Sequence, residues 1–161
     1  VSTQANTVAE RFAQKLGGYY RFLHLPDGLS GAAADELARL PQVREPLELV
    51  RHADVFLYGI GRAMELAQRR GLSASERDRL AQEGAVAEAL GFYINAQGRV
   101  VGGGSSLAIQ PEDIGRKNRA AAVAAGRAKA EAILAVCAHH PHKLLVADEG
   151  AALRMMELLR A

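Results

Sequence analysis

The stretch that most constrains this chain is Ala120 to Ile133, AAAVAAGRAKAEAI. Its small apolar residues around Val123 suit a buried strand. Gly126 breaks the run, and Arg127 and Lys129 follow it. Ala130, Glu131, Ala132, Ile133 and Leu134 then read as a helix. Strand, glycine turn and helix in that order leave free backbone N–H groups where an anion can meet them. A lysine in the first helical turn opposes the helix dipole. A bound phosphate would neutralise it. An ordinary strand-to-helix turn with its cations in water fits the same residues, and the stretch alone does not choose between the two.

The rest of the chain alternates in the same way. Ala5 to Leu16 places Val8, Phe12 and Leu16 on one helical face, and Gly17-Gly18 stops it. Tyr19 to Leu25, YYRFLHL, reads as a strand ended by the Pro26-Asp27-Gly28 turn. Ser30 caps a helix to about Leu40, which Pro41 closes, and a second short helix covers Gln42 to His52. Asp54 to Ile60, DVFLYGI, is the near-continuous apolar run of a strand covered on both faces. Arg62 to Arg70 is helical, and Ser73 with Glu76 forms a capping box for a helix reaching about Gln82. Gly84 to Ala89 reads as a short transition. Leu90 to Ile94 and Arg99 to Val101 flank Asn95 to Gly98 as a hairpin, and Leu107 to Ile109 reads as a brief pairing segment. Lys143 to Ala147 is the last strand and Ala151 to Leu159 the last helix. Strands alternating with helices predict one α/β domain over residues 1–161, an open, mostly parallel sheet with helices on both faces.

Composition narrows the class. The chain is 49% hydrophobic and 24% charged, as expected of a globular domain. A net charge of +2 does not argue for a nucleic-acid surface. Cys137 is the single cysteine, so no disulfide forms within the chain, which suits a reducing cytoplasm. No apolar run approaches the ~20 residues of a membrane span. The chain enters a helical pattern directly from Val1, as a piece of a longer protein would.

In open α/β sheets ligands bind beyond the carboxyl ends of the strands. Three such ends stand out: Gly59-Ile60-Gly61, Gly126 with Arg127 and Lys129, and Asp148 before the last helix. The glycine pair admits close approach of backbone to ligand, although a tight turn uses the same residues. Asp148 is placed first of all as a helix cap. Arg69 and Arg70 end a helix, where the dipole favours cations with or without a ligand. Glu88, within the apolar GAVAEALGF, needs a partner if buried; sugar hydroxyls or nearby cations would both serve. His139, His140 and His142 crowd one loop without the framework of a metal site. No nucleophilic triad or dyad can be assembled, no catalytic residue is assigned, and no cofactor or metal is called for.

Several segments occur together: QANT at Gln4–Thr7, GIG at Gly59–Gly61, AQRRG at Ala67–Gly71, GAVAEALGFYINAQGRVV, AKAEAI at Ala128–Ile133 and ADEGAA at Ala147–Ala152. As a set they resemble the effector-binding domain of SorC-type bacterial transcription regulators, nearest to the branch governing central glycolytic genes. The resemblance runs nearly end to end. It implies a fold of the sugar-phosphate isomerase and glucosamine-phosphate deaminase type, with the first strand and its phosphate loop missing here. It implies a phosphosugar effector such as fructose-1,6-bisphosphate, a homodimer or homotetramer, and operator DNA bound through a helix-turn-helix domain upstream of this piece. Residue by residue, it places Gln4 against the ligand, Arg69 and Lys129 on phosphate, Glu88 near sugar hydroxyls and Asp148 at the mouth of the site. Gly59, Gly61, Gly126 and Arg127 complete the candidate set. One departure is Ala125-Gly126-Arg127-Ala128, where the family carries a glycine pair followed by small hydroxylated residues.

The reading is therefore a non-catalytic ligand-sensing domain of a cytoplasmic repressor. The rival is a small phosphosugar isomerase or deaminase on the same fold. It would need a base and an acid beside the sugar carbon. Glu88 is the one candidate base, and no acid partner is identifiable.

Overall fold

The computed structural model describes residues 5–23, 25, 29, 31–104, 107, 109–114, 119–139 and 144–160. Three helices come first: α1 (Ala5–Leu16), α2 (Gly31–Arg39) and α3 (Pro41–His52). Pro41 opens α3, because its fixed φ and missing N–H suit a first helical position. β1 (Val55–Arg62) leads through α4 (Ala63–Arg69) and α5 (Ala74–Gln82) to β2 (Ala85–Ala89), β3 (Phe92–Asn95) and β4 (Val100–Gly103). The Ser73–Glu76 capping box forms at the start of α5 as its spacing predicts. A single helical turn, α6 (Pro111–Ile114), precedes β5 (Arg119–Ala124). A 3₁₀ turn at Arg127–Lys129 runs into α7 (Ala130–His139), and β6 (Leu144–Ala147) and α8 (Glu149–Leu158) follow.

The six strands form one sheet in the order β4-β3-β2-β1-β5-β6. β1, β5 and β6 are parallel. β1–β2, β2–β3 and β3–β4 are antiparallel. The sheet is thus mixed, which corrects the expectation of a mostly parallel one. The connections decide this. One crossover helix, α7, joins β5 to β6 and keeps them parallel. Two helices, not one, lie between β1 and β2. Leu90 and Gly91, both at positive φ (58° and 88°), form a two-residue turn that closes only an antiparallel hairpin.

Side-chain alternation divides the core. Tyr58, Ile60, Ala87, Ala89, Ala120, Ala122 and Ala124 pack with Ala132, Ile133, Ala135 and Val136 of α7. Ala63 and Ala67 of α4 pack with Leu80 of α5, Ala85 and Tyr93. A Cβ at Gly61 would collide with the Leu66 side chain, so α4 lies on the sheet face opposite α7. Small residues at β5 let α7 settle close to the sheet, which explains the alanine run of that strand.

Three local expectations change. Ala85–Ala89 is a strand, not a transition; its small residues give little periodic contrast, and its pairing with β1 and β3 makes it one. Described residues of the Tyr19–Leu25 segment are not in a strand, and neither Leu107 nor Ile109 is. Strand character needs a neighbouring edge to pair with. The apolar run of β1 is covered on one face: Leu57 remains 52% exposed, beside the similarly exposed Val123, Leu144 and Val146.

Candidate functional site

β1, β5 and β6 run in parallel, so their carboxyl ends meet on one side of the sheet. β1 is also where the sheet changes character, with antiparallel β2 on its other flank. This is the kind of switch point at which open α/β sheets bind ligands. A cleft of about 540 Å³ opens there, lined by Gly61, Arg62, Glu65, Leu66, Gln68, Arg69 and Lys129. That volume lies within the usual range for small-molecule sites.

Three of the sequence-derived candidates, Gly61, Arg69 and Lys129, come together in this lining from three different elements. Gly61 is buried at the end of β1 and leaves the space that Leu66 occupies. Arg69, exposed in the last turn of α4, forms no hydrogen bond or ion pair with the described residues. Lys129 is half-buried, and its Nζ donates to the Ile60 carbonyl at 3.0 Å. A strand-end carbonyl thus satisfies part of the ammonium group. That accounts for a lysine at a helix start even before any anion arrives.

The remaining candidates lie around this nucleus. Gly59 lies within β1, two residues before Gly61, and pairs with Val123 of β5. Gly126 has φ 104°, a conformation that favours glycine, and shapes the turn into α7. Its N–H donates to Asp148 Oδ2 at 2.9 Å, while Asp148 Oδ1 accepts from Ala151 N–H at 2.8 Å. Asp148 therefore caps α8 and clamps the Gly126 turn. The Gly126 hydrogen bond first, and the Ala151 bond second, hold its carboxyl below the usual carboxylate range. Arg127 turns to α8, where its guanidinium holds both carboxylate oxygens of Glu157 at 2.9 and 2.7 Å. Glu157 also accepts from Arg154, and Arg154 followed by Arg127 keep its carboxyl low.

Glu88 is buried and sits across from Gly61 in the β1–β2 pairing. Its Oε1 accepts from Arg70 Nη2 at 2.9 Å and from the Gly91 N–H at 2.6 Å. The partner that burial demands is thus a cation from the end of α4, and Glu88 is not part of the cleft lining. Gln4 lies outside the described residues, as do His140 and His142. Among the described residues no group of three potential metal ligands converges.

Arg62 and Glu65 also line the cleft, although no motif singles them out, and so does Gln68 of the AQRRG segment. The signal for Arg62 and Glu65 is spacing: counted from Arg62, the residue that precedes α4, Glu65 and Arg69 follow at i+3 and i+7. Arg62 Nη1 donates to Glu65 Oε1 at 2.6 Å.

Fold and cleft together define a class, an α/β domain with a small-molecule cleft at the ends of its parallel strands. Residues 1–157 match the family "Putative sugar-binding domain", and the chain belongs to that family. The Central glycolytic genes regulator of Priestia megaterium is 38% identical over 152 residues, which cover 94% of this chain and 44% of that protein. The Central glycolytic genes regulator of Bacillus subtilis is 38% identical over 156 residues, covering 97% of this chain and 46% of that protein. The chain therefore spans less than half the length of these curated relatives. The crystal structure of the "putative SorC family transcriptional regulator" from Enterococcus faecalis superposes with a TM-score of 0.85 at 35% identity, over 95% of this chain and 62% of that one. These relatives are regulators, not enzymes.

Proposed function

We propose that this chain is the effector-sensing domain of a transcription regulator and that its effector is a phosphosugar, with fructose-1,6-bisphosphate the leading candidate. The observation that carries the reading is the convergence of Gly61, Arg69 and Lys129 on one cleft at the ends of β1 and β5. Arg69 and Lys129 supply charge-assisted donors for phosphate. Gly59 and Gly126 allow close approach of backbone to a ligand, and Asp148 fixes the turn that carries Lys129. Gln4 would add a polar contact from the N-terminal side. The relatives' names support the regulatory role. Operator DNA is bound by a separate upstream domain, and the protein works in the cytoplasm as a homo-oligomer whose operator affinity shifts with effector occupancy. Among the described residues no helix is long and apolar enough to cross a membrane.

The enzymatic rival is less well supported, because Glu88, its one candidate base, is bonded to Arg70 and Gly91 and is not among the cleft-lining residues. The test is calorimetric titration of fructose-1,6-bisphosphate into the full-length protein and its Lys129→Ala variant. Loss of the ammonium should weaken binding by about 1.5–3 kcal/mol, the range for hydrogen bonds to charged groups. Added salt should weaken the wild-type complex as well. Equal affinity in a folded Lys129→Ala protein would refute the site.

A further inference from the structure

We infer that Glu65 is a specificity-determining residue of the cleft: it favours ligands that carry hydroxyl groups beside their phosphate and disfavours bare anions. The inference rests on the phosphosugar reading and adds to it a residue outside the recognised motifs. Glu65 is the one carboxylate among the described residues that line the cleft, where it sits with Arg62, Arg69 and Lys129. Glu88, the carboxylate that the family resemblance places near sugar hydroxyls, is internal and bonded to Arg70 and Gly91.

A carboxylate in an anion site has a definite cost. It repels the incoming phosphate and competes with it for Arg62, to which Glu65 Oε1 is already bonded. Such a residue makes sense where the ligand also brings hydrogen-bond donors. Glu65 Oε2 carries no hydrogen bond from the described residues, so it has acceptor capacity to offer. A sugar hydroxyl donating there makes a charge-assisted bond. Inorganic phosphate brings no polyol: its one or two P–OH groups near neutral pH offer Glu65 fewer donors than a sugar does, and it meets the same repulsion. Attraction for one ligand and repulsion of the other are the two halves of specificity. The geometry of α4 makes both available: Arg62 and Glu65 stand one helical turn apart, and Arg69 lies one turn further on the same face.

The experiment compares two probes, fructose-1,6-bisphosphate and inorganic phosphate, on the full-length protein by calorimetry. The proteins are wild type, Glu65→Ala, Glu65→Gln and Lys129→Ala. Wild type should prefer the phosphosugar. Glu65→Ala should reduce that preference about tenfold or more, weakening phosphosugar binding while phosphate binds as well or better. Glu65→Gln should fall between, since its amide oxygen still accepts from a hydroxyl but no longer repels phosphate. It also carries the test if the alanine variant folds poorly. An unchanged ratio in both Glu65 variants, with Lys129→Ala still weakening both probes, overturns the role of Glu65 and leaves the phosphosugar site standing. A folded wild type that binds no phosphosugar overturns the site and the inference together.

Discussion

Replacing Arg70 isolates what the buried carboxylate of Glu88 needs. The Glu88 side chain is 7% exposed and that of Arg70 is 31% exposed, at an N–O distance of 2.9 Å. Arg70→Met removes the counter-charge but keeps much of the aliphatic stem. The Gly91 N–H then still donates at 2.6 Å, yet a backbone amide does not neutralise a carboxylate. Breaking a buried pair from one side costs about 3–5 kcal/mol, and partial solvent access at Arg70 points to about 3 kcal/mol. For a chain of this size that corresponds to a fall in Tm of about 9 °C. Glu88→Gln in the same background removes the charge that has lost its Arg70 partner, while its amide oxygen still accepts from Gly91. The double variant should recover most of the loss, with a coupling of about 2 kcal/mol in a urea-unfolding cycle. Additive effects, or an Arg70→Met loss below about 0.5 kcal/mol, would refute the buried-pair account. The same double variant, if it binds fructose-1,6-bisphosphate like wild type, separates Glu88 from ligand contact. A loss of affinity without a loss of fold would return Glu88 to the site.

Other perturbations probe the turn and the cleft. Gly61→Ala drives a methyl into Leu66, which lines the cleft, so it should cost about 1–3 kcal/mol in urea unfolding and weaken effector binding as well. Arg127→Ser should leave phosphosugar affinity within about twofold by calorimetry, because that guanidinium is exposed and committed to Glu157. Asp148 has a depressed carboxyl pKa, so its contribution to stability is present above the ordinary aspartate value and is lost as pH falls through the lowered one. Asp148→Asn keeps the cap but carries no charge to titrate, so a thermal-melt series down through pH 4 should slope less steeply than wild type.

Much of the fold was legible because local chemistry specified it. The Ser73–Glu76 box, the alanine-rich β5 followed by Gly126, and the Asp148 cap each act within a few residues, and each appears in the structure. The three-way meeting of Gly61, Arg69 and Lys129 could be anticipated in part, since each stands at or near the end of an element and parallel strands bring such ends together. Strand direction was not written locally. β2 has too little hydrophobic contrast to declare itself, and its antiparallel entry follows from two intervening helices and the Leu90–Gly91 turn. The partners of charged side chains were also beyond a linear reading. Glu88 chose Arg70 over Arg69, and Arg127 chose Glu157, 30 residues along the chain, over the cleft. Glu65 entered the cleft through the face of α4 and not through any motif. Propensities, caps and glycine turns depend on neighbours in the chain, so a sequence displays them. Charge pairing and cleft lining depend on which side chains the packed sheet and helices bring within a few ångströms, and that distance exists only once the core has closed.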